Sequence, residues 1–127
     1  MVMPYLRYNG DCEEAFRFYE RVFNGKIRHM SRHGDLPGGK VMHAELMLTK
    51  AGGVAGADSI ETLAQGDGVQ ILVHVGSKVA AERILVELSE GGEILGRFAP
   101  HPPPDDAGGS AMLIDRYGFT WILAAAV

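Results

Sequence analysis

A chain of 127 residues with 46% hydrophobic and 22% charged side chains has the length and balance of one ordinary globular domain. Its net charge of −4, with both signs interleaved, leaves no basic stripe for a nucleic acid, and no apolar run approaches the roughly 20 residues of a membrane span. The single cysteine excludes an internal disulfide, and no basic-then-apolar leader pattern follows Met1, so a cytoplasmic protein is expected.

In chain order, Pro4 to Tyr8 reads as a short strand ended by the turn signal Asn9-Gly10. Asp11 is placed to cap a helix, with Glu14 at the capping-box position. Cys12, Ala15, Phe16, Tyr19, Val22 and Phe23 recur at helical spacing and form its apolar stripe, which stops at Asn24-Gly25. Lys26 to Arg32 is a predicted strand, followed by a loop from His33 to Gly39. Val41 to Leu48 alternates, with Met42, Ala44, Leu46 and Leu48 on one face and His43, Glu45 and Met47 on the other. A turn leads to a weak strand over Val54 to Ala57 and then a loop from Asp58 to Asp67.

The same order then repeats. Val69 to Val75 is a strand with Gln70, Leu72 and His74 on one face, and Ser77 caps a helix whose stripe is Ala80, Ala81, Ile84, Leu85 and Leu88. A strand over Glu93 to Phe98 precedes the extended, proline-rich Pro100 to Asp106. Ser110 to Asp115 and Phe119 to Ala125 close the chain as a hairpin about Arg116-Tyr117-Gly118. Every segment falls into two βαβββ modules, about 1–60 and 68–127, of an α+β fold.

The strings YLRYNGDCEEAFRFYERVFNG, HGDLP, MHAELML and DRYGFTW resemble the PhnB-like branch of the vicinal oxygen chelate superfamily, which includes glyoxalase I and the fosfomycin- and bleomycin-resistance proteins. The resemblance implies one glyoxalase/bleomycin-resistance-like domain over 1–127, its mixed sheets curved into a half-open barrel with the helices outside, and a homodimer that completes the cavity. Metal-using members hold their ion through His, Gln or Glu on the first and last strands of each module. The matching positions here are Met3, Gln70 and Ile122, with Gly56 near an optional fourth. Only Gln70 can ligate, and catalytic zinc ordinarily needs three protein ligands, so no cofactor is expected and a divalent metal would need other residues. The implied function is a cavity for a small organic ligand without an obligatory metal. The alternatives are a metal-dependent lyase or dioxygenase using His43, Glu45 or His74, and a non-catalytic, drug-binding protein of the bleomycin-resistance type.

Among the residues themselves, His43 and Glu45 stand two apart on one side of a strand, where a carboxylate can orient an imidazole as a general base. The competing reading is a solvated pair. Gln70 and His74 share a strand face and could line a ligand site, although a histidine there is as readily a packing residue. Asp115, beside Arg116, is a candidate for the cavity mouth or an ordinary hairpin charge. Trp121 could stack on a flat ligand or sit in the core, and Tyr5, Tyr8, Phe16 and Tyr19 read as core. Cys12 lies in a first helical turn, which can activate a thiol, but it also lies on the apolar stripe. The loops 58–67 and 100–106 could serve as lids or be simple connections.

Overall fold

A computed structural model describes residues 1–34, 39–59, 66, 68–104 and 107–127. Strand β1 (Tyr5–Tyr8) turns at Gly10, whose φ of +108° suits glycine, into helix α1 (Cys12–Phe23). The meander β2 (Lys26–Arg32), β3 (Val41–Met47) and β4 (Gly53–Asp58) follows. The second run is β5 (Ile71–His74), α2 (Lys78–Leu88), β6 (Glu93–Pro100), β7 (Gly109–Ile114) and β8 (Thr120–Ala125). The chain divides into two compact units, residues 1–64 and 65–127. Each is a four-stranded mixed sheet, ordered β1-β4-β3-β2 in the first and β5-β8-β7-β6 in the second.

In both units the first strand pairs in parallel with the last, and the other pairs are antiparallel. Tyr5 lies opposite Ala55 and Ile71 opposite Trp121, so the parallel pairing spans 50 residues in each (5 to 55, 71 to 121). This is the predicted βαβββ repeat, expressed as register.

Alternation along the strands gives each sheet one buried face and one more open face. In the first unit Leu6, Ala44, Leu46 and Val54 are buried under α1, whose buried residues are Cys12, Ala15, Phe16, Phe18, Tyr19 and Val22. Phe18 therefore replaces the expected Phe23 on the packed side. Tyr8 and Tyr19 bury their rings and join their hydroxyls at 2.9 Å, which satisfies both polar ends inside the core. Gly56 permits the close approach of α1, because a Cβ there would stand 3.0 Å from the Phe16 ring. In the second unit Ile71, Val73, Ala111, Leu113, Trp121 and Leu123 pack with Ala81, Ile84, Leu85 and Leu88 of α2.

The helix caps differ from each other. Ser77 accepts from the Ala80 amide at 3.1 Å, as its spacing predicts. The Asp11 side chain makes no cap bond; Asp58, at the end of β4, does that work from 46 residues away. One carboxylate oxygen of Asp58 accepts from the Gly10 and Cys12 amides at 3.1 and 2.9 Å, and the other accepts from Val41 N at 2.8 Å. A single side chain thus fixes the helix entry and the start of β3.

Other expectations shift at their edges. Val69 and Gln70 precede β5, whose pairing with β8 begins at Ile71 opposite Trp121. β6 runs on to Pro100, which an edge strand tolerates because no further strand needs its missing N–H. Residues 35–38, 60–65, 67 and 105–106, and with them most of the loop 58–67 and the end of the loop 100–106, lie outside the described residues. Among the described residues no helix is long and apolar enough to cross a membrane.

Candidate functional site

Two clusters carry chemistry, one in each unit. In the first, the β-register sets Tyr5, Ala55, Glu45 and His29 in one row across β1, β4, β3 and β2, with His43 opposite Ser31 in the next row. Period-two alternation sends these side chains away from the buried core face. His43 Nε2 lies 2.9 Å from Glu45 Oε2, and its Nδ1 lies 3.1 Å from the Tyr5 hydroxyl. The Tyr5 and His43 rings also stack, with centroids 5.6 Å apart and planes 22° apart. The Arg28 guanidinium reaches Oε1 of Glu45 at 2.7 Å, and the His29 ring stands 5.6 Å from that of His43. Hydrogen bonds from His43 and Arg28 hold the Glu45 carboxyl below the usual carboxylate range.

His43 and Glu45 are therefore brought together as their spacing suggests. Tyr5 is not the core residue it reads as in the sequence: it is 51% exposed and bonded to His43. The signal was present in the alternation, since Leu6 and Tyr8 are buried and Tyr5 and Arg7 belong to the other face. Arg28 was not legible, because it sits at an irregularity of β2 between Ile27 and His29 that pairing rules do not foresee.

The second cluster lies on the sheet face of unit two turned from α2. Leu72, Ile122, Ala124, Ala125, Gly109 and Ser110 floor an open hollow of about 570 Å³, with His74 and His101 at its sides. His101 Nε2 and Ser110 Oγ are 3.1 Å apart. His74 thus lines a cavity. Gln70 is exposed ahead of β5 and is not among the residues lining the hollow.

Asp115 and Trp121 lie elsewhere. Asp115 is 2% exposed and Trp121 fully buried on the α2 side of the sheet. Asp115 Oδ1 accepts from the Tyr117 and Phe119 amides at 2.8 and 3.0 Å, and Oδ2 accepts from the Trp121 indole at 2.9 Å. The pair shapes the β7–β8 turn and has no surface to offer a ligand. Arg116, the expected partner of Asp115, instead donates to the Glu90 carbonyl at 3.1 Å. Cys12 is fully buried, and burial, aided by Asp58 and Asp11, pushes its thiol up to about 12, so it packs as a small hydrophobe.

The positions that hold metal in the superfamily do not fit an ion here. Met3 offers a thioether 4.0 Å from the Arg28 guanidinium, which already compensates Glu45. Gly56 faces Phe16 rather than the open side, and Ile122 is a hydrocarbon floor residue. Among the described residues no three His, Cys, Asp or Glu side chains converge in a way that could hold a metal ion.

Paired βαβββ units, each with one open sheet face, define the class of the protein as the vicinal oxygen chelate type. Residues 1–124 match the family model described as 3-demethylubiquinone-9 3-methyltransferase, and the chain belongs to that PhnB-like family. Among solved structures it is similar to protein PA1353 from Pseudomonas aeruginosa, at 29% identity and a TM-score of 0.84 over 99% of this chain and 97% of that one. It is also similar to the PhnB protein from Bacillus cereus, at 24% identity and a TM-score of 0.79 over 98% of each chain. The fosfomycin resistance protein FosX from Listeria monocytogenes shares the fold at 12% identity and a TM-score of 0.71, over 100% of this chain and 93% of that one. No curated protein sequence matches the chain.

Proposed function

We propose that the protein binds a small organic molecule in the hollow of the second sheet, without an obligatory metal. The observation that carries this is the hollow itself. Its volume of about 570 Å³ falls in the range of ligand sites, roughly 300–1,000 Å³. Its floor is aliphatic, and its polar side chains are few: the exposed His74, and His101 joined to the Ser110 hydroxyl. Such a lining favours a compact molecule with an apolar body and one or two hydrogen-bonding ends.

The reading takes nothing from the methyl transfer in the family's description. Neither βα turn, Asn9-Gly10-Asp11 or Val75-Gly76-Ser77, has the glycine-rich form that seats a nucleotide cofactor. Nor does it take a drug from FosX, whose likeness is one of fold, although fosfomycin belongs in any screen.

The test is a thermal-shift screen of small aromatic, carboxylic and antibiotic compounds, run with and without a chelator, since a ligand of the native state raises its stability. A hit should persist in chelator and disappear in Ile122→Trp, which fills the floor of the hollow. A hit abolished by chelator, or untouched by Ile122→Trp, would defeat the proposal.

A further inference from the structure

The lining of the hollow in the second unit is ordered by the register of its strands. On the sheet face turned from α2, His74, Ala124 and Ser110 stand side by side on β5, β8 and β7, and Leu72 and Ile122 form the next row. Neighbouring strands lie about 4.8 Å apart, so His74 and Ser110 flank Ala124 at roughly 10 Å from each other, and the small methyl group between them leaves that space open. The row of Leu72 and Ile122 is hydrocarbon and lies two residues along the strands, roughly 7 Å away.

The first row ends in hydrogen-bond donors. His101 Nε2 and Ser110 Oγ are 3.1 Å apart, and that contact uses one of the two hydrogens that a serine and a neutral histidine carry; no described residue accepts the other. His74 is exposed, and no described residue bonds to it. An imidazole can take up a proton near neutral pH. Among the described lining residues there is no Asp or Glu to balance that charge, and no Phe, Tyr or Trp face to attract a cation. Donors on both sides of an open space, able to become positive and set beside a hydrocarbon row, are the complement of an anion on an aliphatic chain.

We propose that the hollow takes an aliphatic carboxylic acid as its anion, the carboxylate lying over Ala124 between His74 and the His101–Ser110 pair and the chain lying over Ile122 and Leu72. The separation of the rows sets the length: roughly 7 Å is the reach of about five carbons beyond the carboxylate. The inference rests on the hollow being a ligand site and adds which ligands it prefers.

The test is an NMR titration of the native protein, in chelator, with hexanoate, 1-hexanol and hexylamine, whose chains match and whose heads are negative, neutral and positive. Hexanoate should bind at least about tenfold more tightly than the other two, because only its head makes charge-assisted hydrogen bonds with the imidazoles. The preference should vanish in the double variant His74→Gln/His101→Gln, which keeps donors at both positions but cannot carry the charge. Leu72→Glu, at a position already 54% exposed, sets an anion beside the chain and should weaken hexanoate without disturbing the fold. Equal binding of hexanoate and 1-hexanol, or a preference retained in the double variant, would overturn the acid and leave the hollow standing as long as Ile122→Trp removes what binds. Hexanoate binding indifferent to both Leu72→Glu and Ile122→Trp would overturn the acid's placement in the hollow. If Ile122→Trp, still folded, abolishes the binding of no compound of any class, the hollow itself fails as a ligand site and this inference fails with it.

Discussion

Replacing Asp115 with Asn separates a residue that shapes a turn from one that serves a ligand. The side chains have nearly the same shape, but the amide exchanges an acceptor for a donor. Asp115 accepts two backbone amides on Oδ1 and the Trp121 indole on Oδ2, inside a site only 2% exposed. If the Asn oxygen keeps the two amides, its NH₂ abuts the indole N–H, and a buried donor is left without an acceptor at a cost of about 1–3 kcal/mol. The two remaining bonds lose their charge assistance, which adds roughly 0.5–1 kcal/mol between them. The sum is about 1.5–4 kcal/mol, against a total stability for such a domain of about 5–15 kcal/mol. Urea unfolding followed by fluorescence of the single tryptophan reads this directly. Trp121→Phe removes the donor that the amide would face, so in that background, followed by circular dichroism, Asp115→Asn should cost about 1–2 kcal/mol less. A loss under about 0.5 kcal/mol, or the same loss in both backgrounds, would refute the assignment of Asp115 to the turn.

The other predictions follow from similar contacts. Asp58→Ala deprives the Gly10, Cys12 and Val41 amides of a charged acceptor and should lower stability by about 3 kcal/mol, allowing for water at the exposed Gly10; a change within error in the urea midpoint would refute the long-range cap. Cys12 should resist iodoacetamide until the protein is unfolded. Because its folded thiol is pushed up to about 12 from an ordinary 9, the stability it contributes is complete below pH 9 and is lost between there and pH 12. Cys12→Ala should flatten that alkaline decline in a series of urea melts. Glu45 and Glu13 are both held below the ordinary 4.5, Glu45 by His43 and Arg28 and Glu13 by its forked pair with Arg32. Their contribution is present above pH 4.5 and fades as pH falls below it, so the double variant Glu13→Gln/Glu45→Gln should show a shallower loss of stability on acidification.

How much of this was legible in the sequence depended on distance along the chain. β2, read as Lys26 to Arg32, has those bounds, and α1 needed only its spacing and its stop at Asn24-Gly25. His43 and Glu45 meet because two residues on a strand must share a face. What escaped reading is long-range. The cap on α1 comes from 46 residues away, and the Tyr5–His43 bond joins residues 38 apart. The Asp115–Trp121 bond spans six residues, but it crosses a tight hairpin whose inward-turned carboxylate no local pattern reveals. Tyr5 was misjudged for a different reason: aromatic character was weighed above its alternation with Leu6, and only the register shows which face it takes. The hollow in the second unit was foreshadowed only by His74, because a cavity is a property of what neighbouring strands leave unfilled.

The pairing of each unit's first strand with its last also governs when the unit can close. During synthesis, β1 and β5 leave the ribosome some 50 residues ahead of the strands that hold them (5 to 55, 71 to 121). At about 5–20 residues per second, each waits roughly 3–10 s for its partner. In that interval the nascent chain can form α1 or α2 and the local antiparallel meander, while the leading strand remains an unpaired edge. Its early company is a helix with an uncovered apolar face, which is the kind of surface that chaperones hold. The chain passes through this waiting state twice, once for each unit.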